Sequence, residues 1–203
     1  MTNAASPTLH ALDPSTCLAG DDVIQIDAPA VVELARDLRA RSTDDLDFAR
    51  RTFEWVRDEV DHSYDVNDPR VTLTASDVLE HRVGLCYAKS HLLAALLRSQ
   101  NVPTALCYQL LADDNTGGHV LHGLVAIHVD GAWHRQDPRG NKEGVNAQFS
   151  IDDEQLAWNV DTSIGEVDYP TMFASPAPSV VRTLRSADDV LALYADGLPT
   201  SLD

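Results

Sequence analysis

The stretch from Arg82 to Arg98, RVGLCYAKSHLLAALLR, constrains the fold of this chain more than any other. Leu92, Leu93, Leu96 and Leu97 recur at helical spacing, and Asn101 with Pro103 ends the run. Gly84 supplies a turn just ahead, so Cys86 falls at or near the first turn of the helix. There, unpaired backbone N–H groups and the positive end of the helix dipole favour a thiolate over a thiol. A cysteine so placed becomes a nucleophile once a base and an orienting carboxylate stand beside it.

The segments before this stretch read as helices. Residues 1 to about 20 are an irregular lead-in. Asp27 caps a helix through Ala28, Pro29, Val31, Val32, Leu34, Ala35 and Leu38, with proline at the position where a helix tolerates it. A longer helix spans about Asp44 to Val60. Leu46, Ala49, Phe53, Val56 and Val60 form its apolar stripe, and Asp44, Asp45 and Asp47 sit at its positive end. DHSYDVNDPR reads as a polar connection, and Thr74 with Asp77 forms a capping box for a short helix, Ala75 to His81.

After the cysteine helix the hydrophobic period falls from about 3.6 to about 2. Thr104 to Leu111 reads as a strand and DDNTGG as a loop. His119 to Val129 and Ala132 to Asp137 read as a hairpin closed by Asp130-Gly131. Ser150 with Asp153 caps one short helix of the tail; Ser186 with Asp189 caps another, which ends before Gly197 and Pro199. GEVDYPTMFASPAPSV, between them, is extended. Helices first and antiparallel strands after imply an α+β fold rather than a parallel sheet.

The hairpin turns sequence into geometry. A two-residue loop pairs Val129 with Ala132 and, counting outward, sets Leu124 opposite Asp137. His122 then shares a face with Asp137 as its diagonal neighbour, roughly 7–8 Å away and within reach of an imidazole and a carboxylate. A slip of one residue would put them on opposite faces. In this register Cys86 attacks a carbonyl, His122 takes and returns the proton, and Asp137 fixes the tautomer of the imidazole. The Cys86 N–H is a candidate oxyanion donor, with Tyr64 a candidate for a second one.

Composition narrows the class. A net charge of −17 argues against nucleic acid or an anionic membrane as partner. Three widely spaced cysteines, Cys17, Cys86 and Cys107, make neither a disulfide framework nor a zinc ribbon and suit the cytoplasm. The first residues show no signal-peptide pattern, and no apolar run approaches the roughly 18 residues of a membrane span.

Two stretches, TASDVLEHRVGLCYAKSHLLAALLRSQNVPTALCYQLL and LHGLVAIHVDGAWHRQDPRGN, resemble the transglutaminase-like superfamily, with its papain-like fold. The shared pattern is a short helix, a glycine-containing turn, Cys at a helix start, Leu-Leu-Arg and Val-Pro. A histidine-bearing strand and Trp133 to Pro138 follow, and RTFEWVRDEVDHSYD looks like the usual lead-in. Leu124 stands where the family often has an aromatic. DPRGNK and GEVDYP are similar to small stand-alone bacterial members. The resemblance implies one domain over residues 1–203, with a core at about 28–141 and a C-terminal extension at about 142–203. It also implies Cys86, His122 and Asp137 as nucleophile, base and orienter.

The function expected is cysteine-dependent acyl transfer through a thioester on a peptide or amide, with water as acceptor and no cofactor or metal. An amine acceptor, making a transglutaminase, is the alternative; a binding module that keeps the fold without catalysis is the alternative of another class. His119 and His122 with Cys86 could suggest zinc, but strand residues three apart point to opposite faces. Cys107 reads as core and Cys17 as incidental. His91 reads as packed or solvated, Trp133 as shield or core, and Arg139 as a ligand of a substrate carboxylate or, in preference, the partner of an acidic side chain.

Overall fold

A computed structural model describes residues 7–113 and 116–203; Asp114 and Asn115 of the DDNTGG loop, and the first six residues of the lead-in, lie outside it. Three helices, α1 (Pro29–Ala40), α2 (Asp45–Glu59) and α3 (Ala75–His81), pack around a fourth, α4 (Cys86–Arg98). Two two-residue strands, β1 (Asp61–His62) and β2 (Val83–Gly84), pair in parallel just before α4. A four-stranded antiparallel sheet follows, in the order β5-β4-β3-β6, from β3 (Thr104–Ala112), β4 (His119–Val129), β5 (Ala132–Gln136) and β6 (Val167–Asp168). Helices α5 (Pro178–Ser186) and α6 (Val190–Asp196) close the chain.

The sequence shows α4 as amphipathic, but every one of its residues is buried. Its polar side chains tolerate this because each finds a backbone carbonyl of a surrounding segment. Lys89 donates to Val60 and Arg57, Ser90 to Gly123, and Arg98 to Ala19, Thr104 and Ala174. His91 is packed, its Nδ1 lying 2.9 Å from the Leu73 carbonyl oxygen. The helix is a spindle tied to its surroundings on all sides.

The sheet is covered on both faces. Leu106, Tyr108, Leu121, Val125 and Ile127 face the helices. Ala105, Cys107, Leu124 and Ala126 face a second apolar layer that contains Cys17, Met172 and Trp133. Cys17 is therefore not incidental: a 3-10 turn, Pro14–Cys17, seats it in that layer. Burial raises the Cys107 thiol to about 12, as befits a core residue.

Local signals set several boundaries and missed others. Thr74 and Asp77 form the expected capping box, and Asp44 caps α2. Asp27 does not cap α1: Ala28 takes that position without a side-chain bond, and Pro29 removes one orphan donor. Ser150 accepts from the Asp153 N–H at 3.2 Å, yet no helix grows from that turn. The tail has a 3-10 turn at Thr162–Ile164, and its first α-helix is α5, which begins at Pro178, inside the stretch that reads as extended. Asp189, rather than Ser186, caps α6.

Candidate active site

The Asp130-Gly131 turn fixes the site. Both residues have positive φ, 52° and 80°, as a type I′ turn requires. Val129 consequently pairs with Ala132 and Val125 with Gln136, the register expected. Because β5 stops at Gln136, β4 has no strand neighbour on that side from Leu121 to Gly123. The start of α4 fills the place. Tyr87 Oη donates to the Leu121 carbonyl, and the Gly123 N–H donates to Cys86 Sγ at 3.4 Å. Only glycine permits this approach, since a Cβ at position 123 would meet Tyr87 Cδ1 at 2.8 Å.

Cys86 is the first residue of α4, after Leu85 in extended conformation. His122 lies between the two β4 residues that α4 caps, and Asp137 is the first residue beyond β5. The His122 Nε2 to Asp137 Oδ2 distance is 2.7 Å, with both side chains buried. Asp137 is fully buried and also accepts from the Ala157 N–H at 3.0 Å and the Arg139 N–H at 3.1 Å. Burial alone would raise its pKa, but His122 and these donors lower it. Since Nε2 is committed to Asp137, Nδ1 is the ring nitrogen left for the Cys86 sulfur. Burial opposes charge on the ring; the Asp137 carboxylate and then the Cys86 sulfur outweigh it and raise His122 to about 10.

Other side chains frame these three. Trp158 sets its ring edge-on to His122, with centroids 5.0 Å apart. Arg139 lies over the same indole at 5.4 Å and forms a fork with Asp65, which falls to about 2; burial opposes that fall. Arg139 thus pairs with an acid, as expected. A cleft of about 320 Å³ opens in front of Cys86 and His122, and His62, Tyr64, Trp158, Tyr194 and Leu198 help to line it. Tyr64 stacks on Tyr194 at 4.1 Å. Trp133 does not shield the site: it belongs to the second core layer and donates to the Leu12 carbonyl at 3.3 Å. His119 turns away, with Nε2 at 3.0 Å from the Ile164 carbonyl oxygen. Among the described residues no three His, Cys, Asp or Glu side chains gather as a metal site.

Sequence reasoning missed His62, Trp158 and Tyr194. His62 sits in a segment without periodicity, and Trp158 in one without regular structure. Tyr194 belongs to a tail helix whose cap signal was legible but whose docking was not.

The fold has a counterpart among solved structures. A protein of Cytophaga hutchinsonii, named as a candidate cysteine protease, superposes with a TM-score of 0.52 at 19% identity, over 63% of this chain and 43% of its own. The periplasmic domain of TgpA from Pseudomonas aeruginosa gives 0.47 at 20% identity, over 63% of this chain and 48% of its own. The chain thus spans less than half the length of either, and the first likeness supports the fold alone. No curated protein matches the sequence. Residues 32–138, more than half of the chain, match the transglutaminase-like superfamily. They hold the start of α4, the β4 histidine and the residue after β5, and on that match the chain belongs to the transglutaminase-like superfamily.

Proposed function

We propose that the protein transfers acyl groups from an amide or peptide to water through a thioester on Cys86. The observation that carries this reading is the buried His122–Asp137 hydrogen bond of 2.7 Å beside a cysteine at a helix start. The thiol proton passes to His122, and the sulfur attacks the carbonyl carbon. As the tetrahedral intermediate collapses, the C–N bond breaks and His122 returns the proton to the leaving amine. Water then attacks the thioester with His122 as base. Asp137 holds the imidazole so that Nδ1 faces sulfur.

Water is taken as the acceptor over an amine because the cleft mouth opens to solvent, with Tyr64, on its wall, 44% exposed. Three unpaired cysteines, two of them in one core layer, support a reducing, cytoplasmic setting. The test uses p-nitrophenyl acetate. Wild type should release a burst of nitrophenolate and gain one acetyl group by intact mass, and Cys86→Ala should do neither. Iodoacetamide should label Cys86 below pH 8, before Cys17 or Cys107. A wild-type protein that never acylates is a binding module. Transfer of the acetyl group to added cadaverine in preference to water would make it a transglutaminase.

A further inference from the structure

We propose that His62 donates a hydrogen bond from Nε2 to the carbonyl oxygen of the group bound at Cys86, as a second oxyanion donor beside the Cys86 N–H. The inference rests on the acyl-transfer reading above and names a residue that reading leaves unused.

Strand pairing places His62. β1 and β2 align His62 with Gly84, two residues before Cys86. The Asp61 N–H donates to Arg82 at 2.9 Å and the Ser63 N–H to Gly84 at 3.2 Å, so the backbone on both sides of His62 is fixed to the segment that leads into α4. The side chain lines the cleft that contains Cys86. It is only 6% exposed, and its Nδ1 is buried without a hydrogen-bond partner. Buried polar atoms of folded proteins normally have partners, and those that do not call for an explanation. With Nδ1 shut away from water, the ring proton belongs on Nε2, the nitrogen left for a ligand.

The chemistry of the ring suits a donor rather than a base. Burial, and then the nearby Arg139 charge, lower its pKa well below the ordinary histidine value, so it stays neutral where the enzyme works. A neutral imidazole donates one N–H without bringing a charge to repel His122. Tyr194 holds the ring edge-on, with centroids 6.2 Å apart. A donor already in place as charge develops on the oxygen needs no reorganisation during the step. Tyr64, the donor candidate read from sequence, is instead stacked on Tyr194 and half out in solvent.

The test separates acylation, which develops an oxyanion, from alkylation, which does not. In His62→Phe, which keeps the ring volume without a donor, the p-nitrophenyl acetate burst should slow about 100-fold, while iodoacetamide labelling of Cys86 stays within threefold. His62→Gln, whose amide can donate, should recover at least tenfold of the loss. A burst unchanged in His62→Phe overturns the inference. So does a parallel fall of burst and labelling, since that reports a displaced Cys86. A wild-type protein labelled by iodoacetamide but never acylated overturns the acyl-transfer reading, and His62 as a donor with it.

Discussion

The two walls of the cleft are held by different forces. The inner wall, Cys86 on α4, His122 on β4 and Asp137 just beyond β5, is fixed by buried hydrogen bonds: Asp137 alone accepts three. The outer wall gathers Tyr64 from the connection after β1, Trp158 from an irregular segment, and Tyr194 and Leu198 from the tail. Its side chains meet through ring contact and apolar packing, such as the Tyr64–Tyr194 stack, and a backbone hydrogen bond from Leu121 to Pro199 ties its tail segment down. A buried polar wall is intolerant, because removing one partner strands the others. Ring contacts contribute far less each. The inner wall should therefore set rate and the outer wall selectivity.

The largest break of that contrast falls on Asp137. Asp137→Asn keeps the volume but no longer pairs with a charged His122. Its one amide oxygen can replace only Oδ1, which accepts from the Arg139 N–H, or Oδ2, which accepts from the Ala157 N–H and faces His122. Acylation by p-nitrophenyl acetate should fall on the order of 10³–10⁴-fold, with folding retained by circular dichroism. A fall of less than tenfold would remove Asp137 from the role given to it here.

The same contrast explains what the sequence made legible. The inner wall follows from local chemistry: the type I′ turn sets the register, the register sets His122 against Asp137, and Gly84 with the leucine spacing sets Cys86. Each step spans a few residues. The outer wall depends on long-range docking. Nothing in the Tyr194 neighbourhood says that the Pro199 carbonyl will accept from the Leu121 N–H at 2.7 Å and draw the tail across the cleft mouth. Cys17 and α5 were misread for the same reason: their partners, Cys107 and the helical core, lie far away in sequence. Asp27 and Ser150 failed in the other direction. A cap residue in the right place does not nucleate a helix unless the turns after it are packed.

A second test asks how far the inner wall is electrostatic. His122 is held near 10 against an ordinary 6.5, so the folded protein binds the extra proton across that interval. The stability it contributes is full below pH 6.5 and is lost as pH rises through 10. Lys89, behind the wall, shows the opposite shift. Burial, and then Arg139, lower it to about 7 from 10.5, so here the unfolded chain binds more protons and stability rises with pH over that interval. The two slopes offset each other. Between pH 7.5 and 9.5 the melting temperature of the wild type should be nearly level, whereas that of Lys89→Met should drop on the order of 5 °C. A level profile in Lys89→Met would mean that His122 carries no such charge.

The smallest effect belongs to the outer wall. Tyr194→Ala removes the partner of Tyr64 and part of the cleft lining but touches none of the hydrogen bonds around Asp137. Iodoacetamide is small enough to reach sulfur without meeting the aromatic wall. N-benzyl chloroacetamide is not, and its ring should settle between Trp158 and the tyrosine pair. The variant should react with iodoacetamide at a rate within twofold of wild type and with the benzyl reagent about three- to tenfold more slowly, the scale of one lost aromatic contact. Equal slowing with both reagents would show that Tyr194 supports the position of Cys86. The separation of the two walls would then fail at the point where the tail crosses from one to the other.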